Sequence, residues 1–207
     1  MTGTRRGGPD RALLAALRDC GEQPAVGAAA RALSLAGEHA ALWLATGLAG
    51  AATDPARRTA WLRATAVVAG AHLASMAVKR VVRRPRPSAA APLVHTAGAH
   101  SFPSSHATSS AAATIAFAPL LPRAPLPALA AAICVSRLVA GVHYPTDVAA
   151  GALLGAVAAR LAGGTEGAGS CATSRARPAA EPRAAGQRRA VTTAAPSRVP
   201  ATPGRPQ

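Results

Sequence analysis

A chain of 207 residues has room for one domain, and half of its residues are hydrophobic although only five are aromatic (two Trp, two Phe and one Tyr). Alanine supplies most of that apolar surface, which fills a soluble core poorly but lets helices pack closely in a bilayer. The 23 Lys and Arg against 8 Asp and Glu give a formal net charge of +15; the arginines fall in tails, loops and short motifs rather than along one helical face, which fits anionic headgroups and argues against nucleic acid as partner.

Residues 1–31 are polar to amphipathic, with Arg11, Arg18 and Arg31 punctuating alanine and leucine, and are expected to form a polar segment with a short interfacial helix. Residues 2–10 are polar and the apolar stretch after them is broken by Arg18 and Asp19, so the N-terminus reads as lacking a signal peptide. The first predicted span is 33–52, interrupted by Glu38 and His39. Thr53-Asp54-Pro55 ends it, and Arg57, Arg58 and Arg63 mark a water interface where Trp61 would sit at headgroup level. A second span is predicted over 59–78, close to the roughly 20 residues a crossing needs. A loop rich in Arg, Pro and Ser occupies 79–105, followed by a third span at 106–121, a proline-rich turn at 119–127, a fourth span at 126–141 and a fifth at 145–161. From residue 163 onward the chain is Gly, Ala, Pro, Ser, Thr and Arg, the composition of a disordered basic tail.

The expected fold class is therefore all-α: a polytopic membrane helix bundle of about five spanning helices. It comprises a polar segment (1–31), a membrane domain (32–162) and a tail (163–207), with a soluble bundle of buried helices as the competing reading. Cys20, Cys134 and Cys171 form no disulfide framework and no metal-ligand spacing. No cofactor or metal is expected.

Three short motifs carry chemistry. In Lys-Arg-Val-Val-Arg-Arg-Pro-Arg-Pro, Lys79 ends the second span and Arg86 stands between Pro85 and Pro87. Alone, such a run is a stop-transfer cluster, but the prolines would hold the Arg86 fork in one place for a phosphate. Pro103-Ser104-Ser105-His106 precedes an apolar helix; serine caps the helix, and the same free N–H groups make an anion site. In Ser136-Arg137-x5-His143-x3-Asp147, Arg137 is a charge near the end of an apolar span. His143 and Asp147 are spaced so that a carboxylate can fix the imidazole tautomer, the pairing used in covalent catalysis.

In this order and spacing the motifs resemble the three signatures of the type 2 phosphatidic acid phosphatase family, which shares its site with the vanadium haloperoxidases. The motifs cover 79–147 and the overall likeness about 33–162. The resemblance implies a membrane phosphatase domain that needs no metal. It makes His143 the nucleophile, Asp147 its orienter and His106 the acid for the leaving oxygen, with Lys79, Arg86, Ser104 and Arg137 on the phosphate oxygens. Where the family has glycine, this chain has Ser105, whose N–H is expected to serve the phosphate as well. Gly37-Glu38-His39-Ala40, Ala71-His72 and the Arg-Arg-Pro-Arg-Pro run are similar to actinobacterial members, some of which dephosphorylate decaprenylphosphoryl phosphoribose. For Glu38, His39 and His72 the plainer expectation is a structural hydrogen bond between the first two helices.

The implied partners are a lipid phosphate substrate and membrane lipids. A vanadate-dependent haloperoxidase is disfavoured by the chain's size and apolar spans, and a non-catalytic lipid-binding protein by the presence of both histidines and the aspartate. Five spans put the 53–63 loop, Arg123 and the tail opposite the motifs. The arginines there make that face cytoplasmic by the positive-inside rule, so the site of this multi-pass cell-membrane protein is expected on the extracytoplasmic face.

Overall fold

The computed structural model describes residues 8–88, 91–96 and 98–173, with side chains to residue 164. They form helices α1 (Pro9–Cys20), α2 (Pro24–Ala36), α3 (Ala41–Thr53), α4 (Arg58–Val82), α5 (Ser105–Ala116), α6 (Pro125–Val139) and α7 (Pro145–Thr173). Two 3-10 turns, Glu38–Ala40 and Pro55–Arg57, join α2 to α3 and α3 to α4. The fold is all-α, and among the described residues the β-pairing is an isolated bridge between Pro85 and His100. Proline in the first turn opens α1, α2 and α6, where its missing N–H costs nothing. Helix α4 stops at Arg83, which is left-handed with φ 51°, because Pro85 denies the helix a continuation.

The packing places many small and polar residues inward around a few bulky apolar ones, and leaves other bulky apolar residues on the outside. Helix α5 sits centrally against α4, α6 and α7. Its contact with α7 depends on Gly151 and Gly155, where an added Cβ would overlap the carbonyl oxygens of Ser104 and Thr108. Glycines four apart allow such backbone approach. Trp43, Val68, Phe117 and Ile133 fill the interior, whereas Leu48, Leu62, Leu73, Val135, Leu153 and Leu161 are exposed on the outer helix faces. Trp61 is not an exposed interfacial aromatic: it is buried against Phe117, its ring centroid 5.8 Å away, and its indole donates to Asp54 Oδ2 at 3.2 Å.

Among the described residues, two stretches are long and apolar enough to cross a membrane on their own, Pro55–Val82 and Pro145–Gly164. Helices α3, α5 and α6 have 13, 12 and 15 residues, shorter than a full crossing. The predicted 33–52 span is not one helix. It breaks at Gly37–Ala40, where His39 and Ala40 adopt φ of 49° and 61°, and the apolar pattern hides the break because it runs through it. The expected domain boundary at 162/163 falls inside α7, which reaches Thr173; residues 174–207 of the expected tail lie outside the described residues.

The ends of α4 and α6 and the starts of α5 and α7 meet at one pole of the bundle, where the Ser104 N–H donates to the Asp147 carbonyl at 2.9 Å. Helices α1 and α2 lie across this pole. Asp10 of α1 accepts from the Thr146 N–H and hydroxyl at 3.0 and 2.7 Å, and the hydroxyls of Ser34 and Ser136 are 3.1 Å apart.

Candidate active site

The connection from α6 to α7 turns at Gly141, φ 71°, and presents His143, which is 2% exposed. Asp147, fully buried in the first turn of α7, has its Oδ2 at 3.6 Å from His143 Nδ1. That carboxylate is fixed twice more: Oδ2 accepts the Tyr144 N–H at 2.8 Å and Oδ1 accepts from Arg84 Nη1 at 2.9 Å. The far ring nitrogen, Nε2, lies 3.5 Å from Arg86 Nη1. At 3.6 Å the His143–Asp147 pair is an ion-pair contact rather than a hydrogen bond, and His143 Nδ1 has no hydrogen-bond partner among the described residues. Burial lowers the His143 pKa to about 4; the neighbouring Asp147 carboxylate opposes the shift, and Lys79, Arg137 and Arg86 reinforce it. At neutral pH the imidazole is therefore uncharged, with a lone pair at Nε2 beside the cations.

Two of the three cations are held by backbone carbonyls. Arg86 donates from Nε to the Gly98 carbonyl at 2.8 Å and from Nη1 to the Val142 carbonyl at 2.9 Å, so carbonyls as well as flanking prolines fix its fork. Lys79 Nζ donates to the carbonyl of Ser101 at 3.3 Å and to that of Pro103. Arg137 is 2% exposed, and its Nε and Nη1 have no hydrogen-bond partner among the described residues. A buried guanidinium with idle donors is costly unless an anion meets it.

Ser104 is the N-cap of α5, accepting from the Ala107 N–H at 3.5 Å. His106, the second residue of the helix, donates from Nε2 to the Ser34 carbonyl at 2.9 Å. Gly37 makes that approach possible: a Cβ there would stand 2.6 Å from His106 Cδ2.

One cavity gathers Lys79, Arg86, Arg137, His143, Ser105 and His106. The structure thus brings together in the cavity every predicted site residue except Ser104, which is fully buried at the cap and does not line the cavity, and Asp147, which lies behind His143. Ser105 faces the cavity instead, with its Oγ 3.7 Å from Met76 Sδ. Glu38, His39, His72 and Met76 also line the cavity. The interhelical hydrogen bond expected of His72 is not made by its buried Nδ1, which has no partner among the described residues; the His39 and His72 rings are 6.4 Å apart.

Arg84 was not legible as a site residue. It links Asp147 to Asp10, donating from Nη2 to Asp10 Oδ2 at 3.0 Å, and stacks over Tyr144 with its guanidinium carbon 4.1 Å from the ring centroid. Burial raises the Asp10 pKa, but the hydrogen bonds from Thr146 and Arg84 outweigh it, and the net shift is downward. The carboxylate is therefore ionised at neutral pH and ties α1 to the site. Among the described residues, no group of three or more His, Cys, Asp or Glu is placed to hold a metal ion.

These groups define a candidate oxyanion site, three cations and an uncharged histidine in one cavity, at one pole of an all-helical bundle. The chain belongs to the PAP2 superfamily, whose family model matches residues 60–164. It is 47% identical over 147 residues to the decaprenylphosphoryl-5-phosphoribose phosphatase of Mycolicibacterium smegmatis, covering 70% of this chain and 81% of that protein. Its Mycobacterium tuberculosis counterpart is 46% identical, over 65% and 77%. A lipid A 1-phosphatase of Rhizobium johnstonii is 37% identical over 47% of this chain and 43% of its own. The fold is similar to that of a transmembrane PAP2-type phosphatidylglycerolphosphate phosphatase from Bacillus subtilis, with TM-score 0.65, 23% identity and coverage of 79% and 89%. The chain is a lipid phosphate phosphatase.

Proposed function

We propose that this phosphatase removes the terminal phosphate of a polyprenyl-linked phosphosugar, the substrate class named for its relatives at 46–47% identity. The observation that carries the mechanism is the shared cavity of His143, His106 and three cations. Lys79, Arg86 and Arg137 hold the phosphate oxygens, assisted by Ser105 and its N–H, while Ser104 keeps the helix start in shape. His143 Nε2 attacks phosphorus and the bond to the sugar oxygen breaks. That oxygen takes a proton from protonated His106 at Nδ1, since Nε2–H is committed to Ser34. Water then attacks the phosphohistidine, His106 accepts its proton and orthophosphate leaves. Positioning and charge neutralisation supply most of the catalysis, and the reading requires no metal.

The reading extends to the whole chain. Helices α3 to α7 make five crossings, α1 and α2 lie at the site pole in the interface, and the catalytic face is extracytoplasmic. Residues 32–162 form the phosphatase domain, and the chain beyond α7 is dispensable for turnover. The test is phosphate release by purified protein from decaprenylphosphoryl phosphoribose, phosphatidylglycerol phosphate, phosphatidic acid and decaprenyl diphosphate. The phosphosugar should have the highest kcat/KM; preference for another member of the panel overturns the substrate assignment.

A further inference from the structure

The phosphate needs only the cationic half of the cavity, yet the other half is polar and is built at a cost. Two successive non-glycine residues, His39 and Ala40, are left-handed, a strained conformation that persists where function or packing demands it. That kink, with Gly37 beside His106, directs Glu38 and His39 into the cavity wall instead of continuing a helix. A carboxylate sharing the cavity with Arg86 and Arg137 weakens their hold on phosphate, so Glu38 is misplaced for phosphate binding alone.

The free hydrogen-bonding capacity of this half is specific. The Glu38 carboxylate lies 3.9 Å from both His39 Nδ1 and His106 Nε2, beyond hydrogen-bond range, so its oxygens can accept from a ligand. His72 Nδ1 is buried without a partner among the described residues. A carboxylate acceptor and an imidazole nitrogen on one wall suit neighbouring hydroxyls. Glu38 is also the carboxylate nearest His106, the group assigned to protonate the leaving oxygen, so this wall adjoins the leaving group.

We infer that Glu38 and His72, with His39 at the rim, form a subsite that binds vicinal hydroxyls on the leaving group and thereby selects phosphosugars over simple lipid phosphates. The inference rests on the phosphosugar reading above. Glu38 accepts hydrogen bonds from the diol, and His72 Nδ1 pairs with a hydroxyl that Glu38 does not take. The reacting ester is set between His143 and His106 as a result.

The experiment compares a short-chain prenylphosphoryl ribose 5-phosphate with its 2,3-dideoxy counterpart, which has the same phosphate and the same primary leaving oxygen. Wild type should favour the diol by about ten- to a hundredfold in kcat/KM, the scale of one charge-assisted hydrogen bond. Glu38→Gln and His72→Phe should lose most of that preference while hydrolysing the dideoxy compound within about threefold of wild type, and the orthophosphate inhibition constant should not rise. Equal wild-type rates on the two compounds would overturn the subsite and leave the phosphatase assignment standing. Equal losses on both compounds in Glu38→Gln would show that Glu38 acts through His106 instead. Turnover of phosphatidic acid with none of either sugar would overturn the substrate reading and the subsite with it.

Discussion

Burial sets the main shift of His143, and among the charges around it two with opposite effects can be removed singly. Arg86, 3.5 Å from Nε2, disfavours the imidazolium, and Asp147 favours it. With a pKa of about 4, the imidazole stays neutral until the pH falls to that value, so under the proposed nucleophile role the acid limb of kcat/KM belongs there once substrate ionisation is subtracted. Arg86→Gln removes a repulsion from the protonated form and should move the limb to higher pH. Asp147→Asn removes an attraction and should move it lower while cutting the rate by orders of magnitude, because the tautomer is no longer fixed. A limb that ignores both substitutions would mean another group titrates. The two histidines separate by leaving group: p-nitrophenyl phosphate, whose leaving oxygen needs no proton, should rescue His106→Ala relative to a lipid phosphate and should not rescue His143→Ala. Equal rescue of both would exchange or abolish the roles. Most of this site could be read from sequence because Lys79, Arg86, Arg137, His143 and Asp147 are chemically specific residues at fixed spacing. Ser104 and Ser105 could not be ordered that way, since either hydroxyl suits a cap and which one faces the cavity is settled by helix phase. Arg84 was hidden in a run of similar arginines, and its partners Asp10 and Asp147 are remote in sequence.

The motifs of α5 and α7 are held in register by Gly151 and Gly155. Gly155→Leu cannot be accommodated without separating the helices, because the clash is with Thr108 backbone rather than a movable side chain. An overpacking cost of about 1–3 kcal/mol follows, and since α5 carries His106 and α7 carries Asp147, activity should fall at least tenfold in protein that still folds. Denaturant midpoints in detergent and turnover check the pair of effects; full activity with lowered stability would show that site geometry does not depend on this contact. Elements such as α4 and α7 were legible because length and apolarity declare a long helix. The kink between α2 and α3 was not, since Glu38 and His39 look like polar residues tolerated inside a span. Its cause is a tertiary contact with His106, on a helix more than sixty residues away. Trp61 departs from its expected place for a related reason: an indole beside arginines fits a membrane interface, but its partners Asp54 and Phe117 draw it inward.

At the scale of the molecule, the site pole carries its own reporter for the proposed orientation. Cys20, exposed on α1, should react with a membrane-impermeant maleimide on intact cells when Cys134 and Cys171 are replaced by Ser; labelling only after permeabilisation would reverse the proposed orientation. The idle donors of Arg137 have a consequence for the heat resistance of the whole protein. A desolvated cation destabilises the native state in proportion to what it lacks, so an oxyanion that satisfies Nε and Nη1 returns that energy to the fold. At a hundred times its dissociation constant, a ligand adds about 2.7 kcal/mol, which for a chain of this size is about 5–10 °C of melting temperature. Orthophosphate or vanadate should raise the melting curve by that amount. Arg137→Met should abolish the rise and melt above phosphate-free wild type, because the buried charge is gone. An Arg137→Met protein that melts lower and still responds to phosphate would mean that the guanidinium is a structural strut and not a docking point held ready at the expense of stability.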